Sequence, residues 1–421
     1  MIDGGLSIDA RRDTIQAERH ARPPVPITAP GIAQHMVFRT PADSKIADER
    51  RAALTICEKL ELIPSSELAD QISAAGDGVT MKWERHTEFV SYTFIAQDVK
   101  DRALFSPWSE RDLGWTGVPG TLLLSLLVAL EPKRSPVWSG AGRFAWRDAK
   151  PICASAVMSG TTVVETDLDL DEAGSARYLV KTTSKEPARL GRLLQRLIEI
   201  ETYSTLCLYA WKDAKELSPL LSQAERRLGD LITRLARHGG ESDEKILEDL
   251  ADLSAFHEAT TERSHFRLNA SLAYHEIAIR RMEELREERI EGCQRLANFM
   301  RRRMNPAART YKAILRRQEE TAQRINRATQ LLRGRIEVAI GKQNQELLKS
   351  MNARAEAQYR LQKTVEGLSV VAISYYALGI LTYLAAVLVG FAPGLSVKVI
   401  VGLCVPLVVA AVWFSVRKLR E

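Results

Sequence analysis

"VEGLSVVAISYYALG", Val365–Gly379, is where this chain turns apolar, and the length of the uncharged stretches beyond it decides the fold. No charged residue occurs from Gly367 to Val397, and after Lys398 none occurs until Arg417. Each stretch is long enough to cross a bilayer core of roughly 30 Å as a helix. The pattern predicts a C-terminal transmembrane hairpin: a first span over 366–390, an extracytoplasmic loop over 391–397, a second span over 398–416 and a basic tail over 417–421. Arg360 and Lys363 precede the first span, and "RKLR" (417–420) comes after the second, whereas the connecting "GFAPGLSVK" carries one lysine. By the positive-inside rule both termini, and with them residues 1–365, are expected on the cytoplasmic side of a multi-pass membrane protein.

The first span has two unlike faces. Steps of four and three from Val365 reach Ser369, Ala372, Tyr376, Gly379, Tyr383, Ala386 and Gly390, all small, polar or tyrosine. Val370, Ile373, Ala377, Ile380, Leu384 and Val387, each one residue on from a member of that set, are almost all aliphatic. Small residues let helix backbones approach, and a tyrosine hydroxyl in hydrocarbon needs a partner or water. The stripe is therefore expected to face protein, as a helix-packing seam between the spans or between subunits, or as the lining of a pore. No Asp, Glu, Lys, Arg or His lies within either span before Lys398, so a proton relay or charged filter is not expected.

The remainder reads as a soluble body. The chain has 421 residues, enough for two or three domains, with 27% charged and 45% apolar residues and a net charge of +6. "MIDGGLSIDARRDTIQ" has no apolar core, so no signal peptide is expected there. Five scattered cysteines, without CxxC or zinc spacing, predict reduced thiols. Residues 1–34 read as an extended arm, because "HARPPVPITAPG" (20–31) is proline-rich and suited to lie along a domain surface. Residues 35–185 read as an α/β domain with a mixed sheet. "HMVFRT", "ASAVMSGTTVVETDLDL" and "ARYLVKTT" have strand character, "SKIADERRAALTICEKL" helical character, and "VTMKWERHTEFVSYTFIA" fits one bent strand or a hairpin.

From Glu186 the period changes to that of a helix. Leu190, Leu193, Leu194, Leu197, Ile200 and Tyr203 form one stripe. Further helices are expected from Pro219 to about His238 and from Glu244 to about Arg301, giving a helical layer over 186–304. Asn305-Pro306 has the form of another helix start, and no proline occurs after it until Pro393. A stalk helix over 305–365 then runs into the first span, a rod of about 120 Å in all. Ile325, Ala328, Leu332, Ile336, Ala339, Gln343 and Leu347 keep an eleven-residue rhythm, so the rod is expected to pack on its own preceding helices, on other copies, or on both.

Sites of chemistry are few. In "WERHTEFVSYTF" (83–94), Glu84, His86 and Glu88 would share one face of a strand, and two carboxylates flanking an imidazole suit a divalent cation, with His20 and Arg22 of the arm as further candidates to join. Charged alternation on a solvated strand gives the same pattern. Glu165, Asp167, Asp169 and Asp171 line one edge of "TTVVETDLDLDE" (161–172), better suited to a solvated strand and turn than to a calcium loop. Residues 301–335 hold eleven Lys/Arg against two Glu, about 45 Å of helix from the membrane, and are expected to pair with the acidic stretches at 241–252 and 283–291 rather than with nucleic acid. No P-loop, GxGxxG, GxSxG or HExxH occurs, so no enzyme activity is expected, and a divalent cation is the sole cofactor the sequence suggests.

"ERHARPPVP", "WERHTEFVSYTF", "GRLLQRLIEIETYSTLCL", "ELREERIEG" and "VEGLSVVAISYYALGILTYLA" together resemble, in order, the segments of the bacterial membrane-anchored proteins known as domain of unknown function 3422. The resemblance covers nearly the whole chain and implies a cytoplasmic body on the bacterial inner membrane, with no activity or catalytic residues attached. The plan of α/β domain, helical layer, long helix and terminal hairpin is also similar to CorA-type magnesium transporters, which implies a homo-oligomer, a pentamer by that analogy. Their Gly-Met-Asn filter is replaced here by Gly390-Phe391-Ala392. A membrane-anchored scaffold or sensor is thus the leading expectation, a CorA-like divalent-cation channel the alternative.

Overall fold

Residues 9, 11–12, 15–16, 23–68, 70–99, 106–133, 153–237, 243–389 and 396–418 are described by a computed structural model. Strands β1 (Gly31–Arg39), β4 (Val79–Arg85) and β5 (Phe89–Gln97) show how the sequence builds the sheet. In β5, Val90, Tyr92, Phe94 and Ala96 enter one apolar cluster, while Phe89 and Ile95 pack on the opposite side. Period-two alternation gives a sheet covered on both faces. Helix α1 (Ile46–Lys59) lies against the first face through Ala52, Ala53, Ile56 and Cys57, as the sequence predicts for that segment.

The remaining strands are β2 (Ile63–Leu68), β3 (Gln71–Gly76), β6 (Thr121–Pro132), β7 (Cys153–Val157), β8 (Thr162–Thr166), β9 (Ala176–Thr182) and β10 (Glu288–Arg289). Their order is β10-β7-β8-β9-β6-β1-β5-β4-β3-β2. The pairing β6–β9 is parallel and the others are antiparallel, so the sheet is mixed.

On the second face lie α2 (Pro187–Tyr209), α3 (Trp211–Ala236), α4 (Asp243–Glu284) and the start of α5 (Leu296–Val389). Leu190, Leu193, Leu194, Leu197 and Ile200 of α2 pack with Leu126, Val128 and Tyr178 of the sheet and with Met300, Met304 and Tyr311 of α5. The extended segment 23–30 runs beside α2: Ile27 is fully buried, and its N–H donates to Pro187 O at 3.2 Å. A Cβ at Gly191 would stand 2.3 Å from Val25 O, so this crossing requires a glycine.

Two boundaries differ from the expected ones. Helix α3 starts at Trp211, with Pro219 inside it, and α5 starts at Leu296, with Pro306 inside it. Proline in a helix interior costs ~3 kcal/mol or more, but Met300, Met304, Ala307, Tyr311 and Ile314 form one buried stripe across Pro306. Tertiary packing carries the helix through the site where local sequence starts it anew. The helical layer does break after Glu284. There Glu287 accepts from the Ala297 N–H at 3.1 Å, placing a carboxylate at the first turn of α5.

Met1–Ala236 with Glu248–Asn326 make one compact unit, and Arg237–Leu247 with Arg327–Glu421 a second. The α/β region and the helical layer share one unit and one core, with β10 supplied from between α4 and α5. The second unit holds the rest of α5 and α6 (Val397–Lys418). The C-terminal part of α5, and α6, are both long and apolar enough to cross a membrane. The intervening loop and Gly390, Arg420 of the tail, and His20 and Arg22 of the arm lie outside the described residues.

Candidate functional site

The residues expected to share one strand face are divided by a turn. Strand β4 ends at Arg85, and β5 begins at Phe89, so the alternation is reset between them. The His86 N–H donates to Phe89 O at 2.8 Å, and the imidazole stacks on the Phe89 ring with centroids 4.1 Å apart. Glu84 remains on β4, where it pairs with Lys82 at 3.1 Å. Glu88 is engaged from α4: Tyr274 Oη donates to it at 2.7 Å, and Arg267 lies at 2.6 Å. The three side chains that would ligate a metal are thus engaged separately. Among the described residues, no three His, Cys, Asp or Glu side chains gather where a metal ion could be held.

Glu84 and His86 instead border a cleft of about 320 Å³ in the first unit. One wall is the sheet, with His35 of β1, Lys82 of β4, and Ser91 and Thr93 of β5. The other is α2, with Gln195, Glu199 and Thr202, joined by Arg281 of α4. Pro23, Pro24 and Val25 border it from the extended segment, and Lys82 Nζ donates to Pro23 O at 3.3 Å.

The open cleft has a buried polar floor of His35, Ser91, Thr93 and Thr202. His35 is buried, with Nδ1 2.8 Å from Thr93 Oγ1 and Nε2 3.1 Å from Thr202 Oγ1. A neutral imidazole offers one donor and one acceptor, and each hydroxyl takes either role. Burial, with His86 and Lys82 nearby, lowers its pKa to about 3, so the ring is neutral at ordinary pH. Lys82 is only 7% exposed. On the opposite wall Arg281 pairs with Glu199, which also accepts from Gln195 Nε2 at 2.8 Å. The cleft therefore carries charges of both signs, already paired within each wall.

Sequence reasoning found Glu84 and His86 but not their neighbours. His35 and Thr93 sit in strands, Thr202 and Glu199 on a helix, and Arg281 on another helix. No local spacing joins them. Only the helical stripe of α2, which docks Leu194 and Leu197 on the sheet and so sets Glu199 and Thr202 beside it, hinted at this wall.

The acidic edge is largely neutralised across the β8–β9 pair. Lys181 donates to Glu165 at 2.9 Å, Arg177 pairs with Asp167, and Asp171 caps its own turn by accepting from the Ala173 and Ser175 N–H groups. In the basic stretch, Arg301 meets Glu283 at 3.1 Å and Arg335 meets Asp243 at 3.0 Å, as expected, whereas Arg317 pairs with Glu225 of α3 at 2.7 Å.

In the second unit the tyrosine stripe is not the covered face of its helix. Ser374 and Ala385 are buried, whereas Tyr376 is 71% and Tyr383 80% exposed. Ala372, Gly379 and Ala386 are exposed too, and a Cβ at Gly379 would meet nothing within 4 Å. Ser369 spends its hydroxyl on its own helix, donating to Val365 O at 2.8 Å. Among the described residues, nothing of the same chain covers Ala372, Tyr376, Gly379, Tyr383 and Ala386. The covered line runs through Ser374 and Ala385, with Val370, Ala377, Leu378 and Leu381 half-buried, whereas Ile373, Ile380, Leu384 and Val387 are exposed as well.

A mixed-sheet α/β body with a charged cleft, continued by membrane-length helices, defines the class of protein. The chain belongs to the family described as protein of unknown function (DUF3422), whose model matches residues 8–421. No curated protein and no solved structure matches it.

Proposed function

We propose that this is a membrane-anchored, homo-oligomeric protein whose cytoplasmic body acts as a scaffold or sensor rather than an enzyme. The observation that carries the reading is the stretch 337–365 of α5, which is exposed on every side within one chain and runs unbroken into the apolar span. An isolated helix is marginal in water. Of the eleven-residue rhythm, Ile325, Ala328 and Leu332 are buried in the chain itself, whereas Ala339, Gln343 and Leu347 are bare. Ile340, Leu347, Met351, Leu361 and Val365 also fall on the a and d positions of one heptad frame, whose other three core positions are Asn344, Arg354 and Gln358. Apolar seam positions with occasional polar ones favour packing against equivalent helices in fixed register.

The basic flanks support a cytoplasmic body and tail. A non-catalytic role is supported by His35, whose nitrogens are both engaged and whose low pKa makes it a poor base near neutral pH. A second reading, a channel of CorA-like plan with five subunits, is favoured by one observation: the uncovered hydroxyls of Tyr376 and Tyr383. The missing Gly-Met-Asn filter counts against magnesium as its cargo.

The test is cross-linking in native membranes. Leu347→Cys, in a background with Cys293 and Cys404 replaced by Ser, is treated with a short bis-maleimide. Covalent dimers and higher species support association through α5. Monomer alone, with Leu347→Cys shown reactive toward a single maleimide, contradicts it.

A further inference from the structure

Two features of the cleft, its charge balance and its buried hydroxyls, restrict what it can hold. Among the acidic and basic side chains, Lys82 and Arg281 bring two positive charges and Glu84 and Glu199 two negative ones; His35 is neutral, and His86 stacks on Phe89 at the border. A polyanion such as a nucleotide would need an excess of positive charge, and a hard divalent cation an excess of carboxylate. Neither excess exists among the described lining residues. Burying a single unmatched charge is costly, so the ligand that suits this lining is itself balanced.

We infer that the cleft binds a small zwitterion, a molecule with one ammonium and one carboxylate group, such as a free amino acid. Lys82 pairs with Glu84 on the sheet wall, and Arg281 with Glu199 and, at 3.0 Å, with Glu284 on the helix wall. A zwitterion takes up both signs at once, its carboxylate received by Lys82 or Arg281 and its ammonium by Glu84 or Glu199. The buried hydroxyls of Ser91, Thr93 and Thr202 supply further donors and acceptors without adding charge. Leu194, Ile198 and Ile95 give the same cleft an apolar side for an aliphatic side chain. A volume of about 320 Å³ is at the small end of the range for ligand pockets, ~300–1,000 Å³. The inference rests on the sensor half of the proposed function and not on its oligomeric half.

The test uses the full chain in detergent, with calorimetry and thermal unfolding against the twenty protein amino acids. Leucinamide, which lacks the carboxylate, and 4-methylpentanoate, which lacks the ammonium, serve as probes for leucine, and matching pairs for any other amino acid that binds. The expected result is saturable binding of at least one aliphatic amino acid, weakened about tenfold to a hundredfold on loss of either charge. Glu199→Gln, nearly isosteric, and Lys82→Met should each weaken binding by a similar factor. Should one variant fail to fold, the other and the analogue series on the unaltered protein still decide the matter. Equal binding of the amide or the acid overturns the zwitterion while leaving a binding cleft. Silence toward all twenty amino acids overturns the inference, and the native mass of the same samples shows independently whether the oligomeric reading stands.

Discussion

At the scale of residues, His35 is the best reporter of the cleft. Its pKa is about 3 when folded, against an ordinary 6.5. Between those values the unfolded chain binds a proton that the folded ring refuses. Stability is therefore fully present above pH 6.5 and falls as pH drops toward 3, by up to ~1.4 kcal/mol per pH unit from this group. Denaturant unfolding between about pH 7 and pH 5 should show a steeper loss for the unaltered protein than for His35→Gln, which has no such titration. Equal slopes would mean that His35 is not buried as a neutral ring. Cys153 and Cys207, whose pKa values burial pushes up to about 12, should resist maleimide in the folded protein and react only on unfolding. Gly191→Ala should displace the segment at Val25 and lower stability by an amount of the order of other overpacked contacts, ~1–3 kcal/mol, read by thermal unfolding.

At the scale of elements, legibility in the sequence tracked the strength of its periodicity. The α2 stripe stands at the residues its spacing marks, and "VTMKWERHTEFVSYTFIA" forms the hairpin that was one of its two readings. The parity of Glu84, His86 and Glu88 was misleading because a turn between Arg85 and Phe89 is silent in a count of alternate residues. Strand β6 has no alternation to find: "LSLLVAL" is buried on both faces, and the sequence reading places no strand there. Pro306 reads locally as a helix start, and only the packed stripe around it, assembled from distant segments, shows the helix continuing. The tyrosine stripe was legible as a distinct face, but which face is covered within one chain was not. Gly379→Leu probes contacts between chains, since no described residue lies within 4 Å of a Cβ placed there. It should weaken assembly by ~1–3 kcal/mol per contact if copies meet there, and Ile380→Leu should change nothing. Native mass measurements of the two variants decide; unaltered assembly of Gly379→Leu would assign the stripe to lipid or to a wider, wet space.

At the scale of the whole molecule, hydropathy marked two membrane-length stretches, and two helices long and apolar enough to cross a membrane stand there. The cleft was out of reach, because its walls are brought together from five elements whose sequences carry no common signal. Topology has its own check: a C-terminal reporter should be active only when cytoplasmic, together with one inserted in the exposed part of the body. The claim on which most depends is that the bare stretch of α5 is an interface between copies. Its most direct measurement is the native mass of the full chain released from lipid nanodiscs, where one chain weighs 47.1 kDa. The account predicts a single closed oligomer at an integer multiple of that mass, dissociating when Leu347 and Met351 are both changed to Glu. A species of one chain mass under the same conditions, with α5 still helical, would contradict it.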